Sequence, residues 1–153
     1  MPQVLTNFRL EELRSCKRCS TMAGDFHVVV IEDSPDDLRI ATRVLESIGI
    51  REVATFSRIP EAMLYLEEIS NGVRDCPDMV LLDLNLGHDS GFEVLRFYKS
   101  TPSIQKCQII VWSGSGAVER ELCEHFGVEC IPKEEGDAAL ATAVWSRASK
   151  KAN

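Results

Sequence analysis

The sequence predicts an α/β fold, a doubly wound five-stranded parallel sheet of the (βα)5 type. Three observations carry this reading. Five short runs of β-forming residues recur along the chain, most of them apolar from end to end, as strands covered on both faces require. Between them lie stretches whose apolar residues fall at helical spacing. Turn residues separate the two kinds of segment, with no long interruption, which is the pattern of alternating strand and crossover helix.

Taken in order, His27–Ile31 is the first strand, and Ser34-Pro35 supplies an N-cap with proline in the first helical turn. Ala41, Val44, Leu45 and Ile48 form the apolar stripe of the helix that follows, and Gly49 closes it. Glu52–Phe56 is a short second strand. The next helix spans about 60–70, with Ala62, Met63, Leu66 and Ile69 apolar, and Asn71-Gly72 breaks it. Met79–Leu82 is the third strand and ends in Asp83. A helix over about 91–99 carries Phe92, Leu95 and Tyr98. Gln108–Trp112, the fourth strand, ends at Ser113. Val118, Leu122 and Phe126 mark a helix stopped by Gly127, and Val128–Ile131 is the fifth strand. Leu140, Val144, Trp145 and Ala148 line the last helix. Right-handed crossovers through five such units favour the flavodoxin-like strand order 2-1-3-4-5.

Residues 1–26 precede this pattern as an N-terminal extension, a tail or a short helix, and 27–150 form the domain. Met22 stands close enough to the first strand to be an alternative start. At 153 residues the chain suits one domain with a substantial core. Its formal net charge of −7 argues against a nucleic-acid backbone binder. No apolar run approaches the roughly 20 residues that span a bilayer, so no membrane segment is expected. The N-terminus also lacks the apolar core of a secretory signal, and the chain reads as cytoplasmic. Six cysteines are present, of which only Cys16 and Cys19 show a suggestive spacing. With no second matched pair they read as reduced thiols rather than a zinc site.

The chemistry concentrates where the strands end. In open α/β sheets, ligands bind beyond the carboxyl ends of the strands at the point where the strand order reverses. The first strand delivers Glu32 and Asp33, the third Asp83, the fourth Ser113 and the fifth Lys133. Three carboxylates in one crevice repel each other unless a cation joins them. An all-oxygen set suits Mg²⁺. An aspartate so placed can attack phosphorus to form an acyl phosphate, while a metal and an ammonium neutralise the transferring group. Each residue alone has a plainer reading: Asp33 as a helix cap, Asp83 as a loop acid, Ser113 as a turn residue, Lys133 as surface charge. Their joint placement at successive strand ends is the specific signal.

From about 27 to 150 the chain resembles the receiver domain of two-component response regulators, in its single-domain, CheY-like form. VVVIEDSPDD, MVLLDLNL, IIVWSGS and CIPK stand where that family has its acidic pair, phosphoacceptor, switch hydroxyl and lysine. Ser113 lies 30 positions after Asp83, and Gly91 lies 8 after Asp83, also as in that family. The resemblance implies that Asp83 accepts a phosphoryl group from a histidine kinase or phosphotransfer protein. It implies Mg²⁺ on Asp33, Asp83 and the backbone carbonyl of Asn85, with Glu32 acting through water, and Ser113 and Lys133 on the phosphoryl group. It makes Asp37 and Leu38, on the first helix, candidate contacts for the phosphohistidine donor, with output by contact with a downstream protein.

Three positions depart from the family pattern. Cys130 stands where an aromatic residue normally follows the movement of the switch hydroxyl. Pro132 precedes Lys133 rather than following it. Gly87 replaces a common proline, so the segment Gly87-His88-Asp89-Ser90 is expected to be looser. Two other functions stay open. One is a degenerate receiver that binds a partner without phosphorylation. The other is an aspartyl-nucleophile phosphatase, against which Asn85 argues because it stands where such enzymes need a second acid. On the leading reading the chain is not an enzyme.

Overall fold

The computed structural model describes residues 25–87, 89–114 and 116–151. Most of the N-terminal extension, including Cys16, Cys19 and Met22, together with His88 and Ser115, lies outside the described residues.

The elements alternate as the sequence predicts: β1 (His27–Ile31), α1 (Pro35–Ser47), β2 (Glu52–Phe56), α2 (Ile59–Ser70) and β3 (Met79–Leu82). A short pair, β4 (Asn85–Leu86) and β5 (Asp89–Ser90), precedes α3 (Phe92–Ser100). Then come β6 (Gln108–Ser113), α4 (Ala117–Phe126), β7 (Glu129–Pro132) and α5 (Asp137–Lys151). The main sheet is parallel throughout, in the order β2-β1-β3-β6-β7. This is the expected order 2-1-3-4-5 of a doubly wound, flavodoxin-like sheet.

Successive residues of one strand enter opposite layers, which is why Val28–Ile31 and Met79–Leu82 are apolar throughout. Val28 and Val30 pack with α1 and α5 through Ala41, Leu45, Leu140 and Val144. Val29 and Ile31 pack with α2, α3 and α4 through Leu66, Leu95 and Cys123. Phe26, just before β1, is buried in the first of these layers.

Local chemistry fixes the ends. Ser34 Oγ accepts the Asp37 N–H at 3.3 Å and caps α1, with Pro35 in its first turn. Gly127 ends α4 in the left-handed region at φ +65°, where a Cβ is costly.

Three expectations are corrected. Ser113 belongs to β6, and β7 runs one residue later than expected because Pro132 still pairs with Ser113. Val118 does not line the helix core; it is exposed in the first turn of α4. The β4–β5 hairpin was not visible as a strand pattern, since two residues a side are too short to show period two. Asn85 pairs with Ser90 and Leu86 with Asp89, and Asp89 accepts the Ile59 N–H at 3.4 Å at the start of α2.

Candidate functional site

Matched register brings the functional residues to one level. Ile31 pairs with Leu82, and Leu82 with Val111, so β1 and β3 end side by side and β6 runs two residues further, to Ser113. The ladder continues one step further: Asp83 N–H donates to the Ile31 carbonyl at 3.0 Å, and Glu32 N–H to that of Phe56 at 2.9 Å. Backbone hydrogen bonds therefore fix the two acids before their side chains make any contact.

Asp83 is 5% exposed. Burying a carboxylate is costly unless donors meet it, and three do. Ser113 Oγ donates to Oδ1 at 2.8 Å and Asn85 N–H to the same oxygen at 3.1 Å, while Lys133 Nζ lies 3.1 Å from Oδ2. Glu32, 1% exposed, accepts the Ser34 N–H at 3.0 Å and Lys133 Nζ at 2.7 Å. Burial pushes the Glu32 carboxyl up to about 7, with the Lys133 and Ser34 hydrogen bonds pulling the other way.

Lys133 begins a single 3-10 turn after β7. Its ammonium also lies 2.8 Å from Asp37 Oδ2 and 5.0 Å from the centre of the Trp112 ring. Burial works against this charge, but the hydrogen bonds to Asp37 and Glu32 outweigh it and hold Lys133 above the usual lysine range.

Asp33 is exposed at the mouth of the crevice. One oxygen each from Glu32, Asp33 and Asp83 lies within 4.8 Å of the others. An all-oxygen cluster of this kind can hold a divalent ion, and it fits Mg²⁺ or Mn²⁺ rather than a thiophilic metal. Two glycines let the chain pass close by. A Cβ on Gly91 would sit 2.4 Å from the Asp83 carbonyl oxygen, and one on Gly87, at φ +62°, would sit 3.3 Å from Asp33 Oδ2.

The structure thus brings together Glu32, Asp33, Asp83, Ser113 and Lys133, with the Asn85 backbone beside them. The plainer reading of Asp33 as a helix cap fails, because Ser34 fills that role. The two partner-face candidates are both half-buried. Asp37 pairs with Lys133, and Leu38 packs partly against the α1–α5 layer. Reading the sequence for the site named Asp37 only as a partner contact, not as a neighbour of Lys133, and missed Trp112. The first had a signal: it lies four residues after Asp33, one turn into a helix whose N-terminus faces the strand ends. Cys130 is partly buried in the α2–α4 layer, in the same apolar cluster as Cys123 on α4.

Residues 28–144 match the response regulator receiver domain. The chain belongs to this family. Among curated relatives, it is 33% identical over 92 residues to the response regulator Rcp1 of Synechocystis sp., covering 58% of this chain and 61% of that protein. It is 28% identical over 110 residues to the two-component response regulator ORR1 of Oryza sativa subsp. japonica, covering 69% of this chain and 48% of that protein. The receiver thus spans about half to three fifths of the length of these relatives. Among solved structures it resembles the phosphorylated cyanobacterial phytochrome response regulator RcpA, with a TM-score of 0.65 and 29% identity over 79% of this chain and 89% of that one. It also resembles the Mn²⁺-bound form of Rcp1, with a TM-score of 0.65 and 25% identity over 79% and 90%. Among the described residues of this receiver, no helix is long and apolar enough to cross a membrane.

Proposed function

We propose that this receiver takes a phosphoryl group onto Asp83 from the phosphohistidine of a kinase or phosphotransfer protein and signals by contact with a downstream protein. The observation that carries this reading is the convergence of Ser113 Oγ, Asn85 N–H and Lys133 Nζ on the Asp83 carboxylate. An oxygen of Asp83 attacks phosphorus, a P–O bond forms, the P–N bond to the donor imidazole breaks, and the electron pair leaves on the imidazole nitrogen. Ser113 transfers its hydrogen bond from Asp83 to a phosphoryl oxygen, and Lys133 neutralises charge on the group.

Asp33, Asp83 and the backbone carbonyl of Asn85 would hold Mg²⁺, with Glu32 acting through water. When bound, this ion supplies positive charge to the phosphoryl oxygens. The phosphorylated state of RcpA and the Mn²⁺-bound state of Rcp1 support both halves of this reading by analogy. We read the protein as a carrier of signal rather than a metabolic enzyme. Asn85, in the position of a phosphatase's second acid, gives the site no general acid there. A cytoplasmic location, without membrane or nucleic-acid partners, goes with this reading.

Incubation with Mg²⁺ and acetyl phosphate or phosphoramidate tests it. Intact mass should show one acid-stable, base-labile phosphoryl adduct on the wild type and none on Asp83→Asn, whose fold persists. An adduct of equal yield on Asp83→Asn overturns the assignment. Absence from both would favour a binding module that works without phosphorylation, for which the missing aromatic at Cys130 is the supporting feature.

A further inference from the structure

Lys133 has three N–H donors and three carboxylates around it. Two of these, Glu32 and Asp83, belong to the strand ends, and the third comes from α1. Asp37 Oδ2 lies 2.8 Å from Nζ, as close as Glu32 Oε2 at 2.7 Å and closer than Asp83 Oδ2 at 3.1 Å. The Asp37 backbone is fixed by its own N–H to Ser34 Oγ, within the capped first turn of α1. Beneath the ammonium lies the Trp112 ring, 5.0 Å away and 4% exposed. The lysine is therefore held from two sides, by the α1 carboxylate and by the indole face.

We propose that Asp37 is a positioning residue: it draws the Lys133 ammonium toward α1 and so competes with an anion on Asp83 for that charge. The proposal rests on the phosphoryl-accepting reading for its consequence, but the contact itself does not. An ammonium shared among three carboxylates offers less of its field to a fourth anion, and the Asp37 charge also repels a phosphoryl group directly. The Asp37 side chain is one-third exposed while that of Glu32 is fully covered. Water accordingly screens the Asp37 pair more, and its effect is a tuning of the site rather than a condition for it.

Asp36 provides the control. It lies in the same first turn and carries the same charge, but it is exposed and pairs with Arg39 at 3.6 Å instead of with the lysine. Any effect of removing one negative charge at the α1 N-terminus appears equally in Asp36→Asn and Asp37→Asn. An effect through Lys133 appears in the second alone.

The experiment uses the full chain carrying Trp145→Phe, so that Trp112 is the remaining tryptophan. Two readouts are taken for Asp36→Asn, Asp37→Asn, Lys133→Met and the Asp37→Asn/Lys133→Met pair. Without divalent ion, Asp37→Asn should shift the Trp112 emission, because the ammonium over the ring moves, while Asp36→Asn leaves it unchanged. In a beryllofluoride titration with Mg²⁺, Asp37→Asn should bind about twofold to fivefold more tightly, the scale of a partly exposed ion pair. With Lys133→Met both effects of Asp37→Asn should vanish. Equal behaviour of Asp36→Asn and Asp37→Asn, in emission and in binding, overturns the proposal without needing the lysine variants. A wild type that binds no beryllofluoride refutes the phosphoryl-accepting reading instead, and the emission comparison then decides the Asp37 contact by itself.

Discussion

Glu32 is buried with its carboxylate on Lys133, and burial pushes its titration up from 4.5 to about 7. A folded-state value above the unfolded one gives a contribution to stability that is complete below about 4.5 and is lost as pH rises through about 7. Lys133, held above the usual lysine range, stays charged across this window. Urea unfolding without divalent ion should show the wild type losing more stability than Glu32→Gln between pH 5 and pH 8, by about 1 kcal/mol or more. A matching pH slope in the variant would remove Glu32 from the argument. Protons and a divalent ion compete for the same carboxylates, so Mg²⁺ should bind several-fold more tightly at pH 8 than at pH 6, a dependence that Glu32→Gln flattens. Asp33 gives the complementary case. It is exposed and Ser34 caps the helix, so Asp33→Asn should lose Mg²⁺ affinity while its thermal midpoint without metal falls no lower than that of the wild type. A clear drop in that midpoint would assign Asp33 a structural role.

At the scale of elements, the turn from β3 into α3 is as demanding as the site it carries. Gly91 approaches the backbone of Asp83 so closely that a methyl group there meets a carbonyl oxygen at 2.4 Å, and neither atom has a flexible side chain to yield. Gly91→Ala should cost about 2 kcal/mol or more in chemical denaturation and should weaken Mg²⁺ binding by displacing Asp83. Gly72, at φ +75° with open space around its Cα, supplies the comparison: Gly72→Ala should cost only about 1 kcal/mol, from backbone conformation alone. The spacing of Gly91 from Asp83 was legible in the sequence, but its reason was not, since close approach is a property of packing. The same holds for the β4–β5 hairpin, which is held by Asp89 reaching 30 residues back to the Ile59 N–H. No local pattern announces such a contact. Helix caps and strand ends behaved otherwise: Ser34, Pro35, Gly127 and the acid, hydroxyl and lysine at the strand termini act through their immediate neighbours, so sequence reveals them. Asp37 lies between these cases, placed by the helix it sits on and turned inward by a lysine 96 residues away.

Across the whole molecule, the alternation of each strand between two apolar layers made the topology readable, because a sheet covered on both faces needs uninterrupted apolar strands. How a change at Asp83 reaches the far surface depends on what that sheet edge can move. Ser113 Oγ already donates to Asp83 Oδ1 at 2.8 Å, so transferring this bond to a phosphoryl oxygen needs little rotation and vacates little space. Cys130 is small and partly buried in the same cluster as Cys123 on α4, and it cannot follow the hydroxyl as a large ring would. A ligand shifts a two-state equilibrium only by its different interaction with the two states, and here the side-chain route offers little difference. The backbone after Ser113 offers more. Gly114 and Gly116 both precede α4, where glycine makes rearrangement cheap. Beryllofluoride with Mg²⁺ should therefore shift the backbone amides of Gly114, Gly116 and the first turn of α4 most strongly, with smaller changes at Cys130 and in α5. Large shifts at Cys130 and along α5, with Gly114 and Gly116 quiet, would show that the signal leaves through the β7 side chains instead.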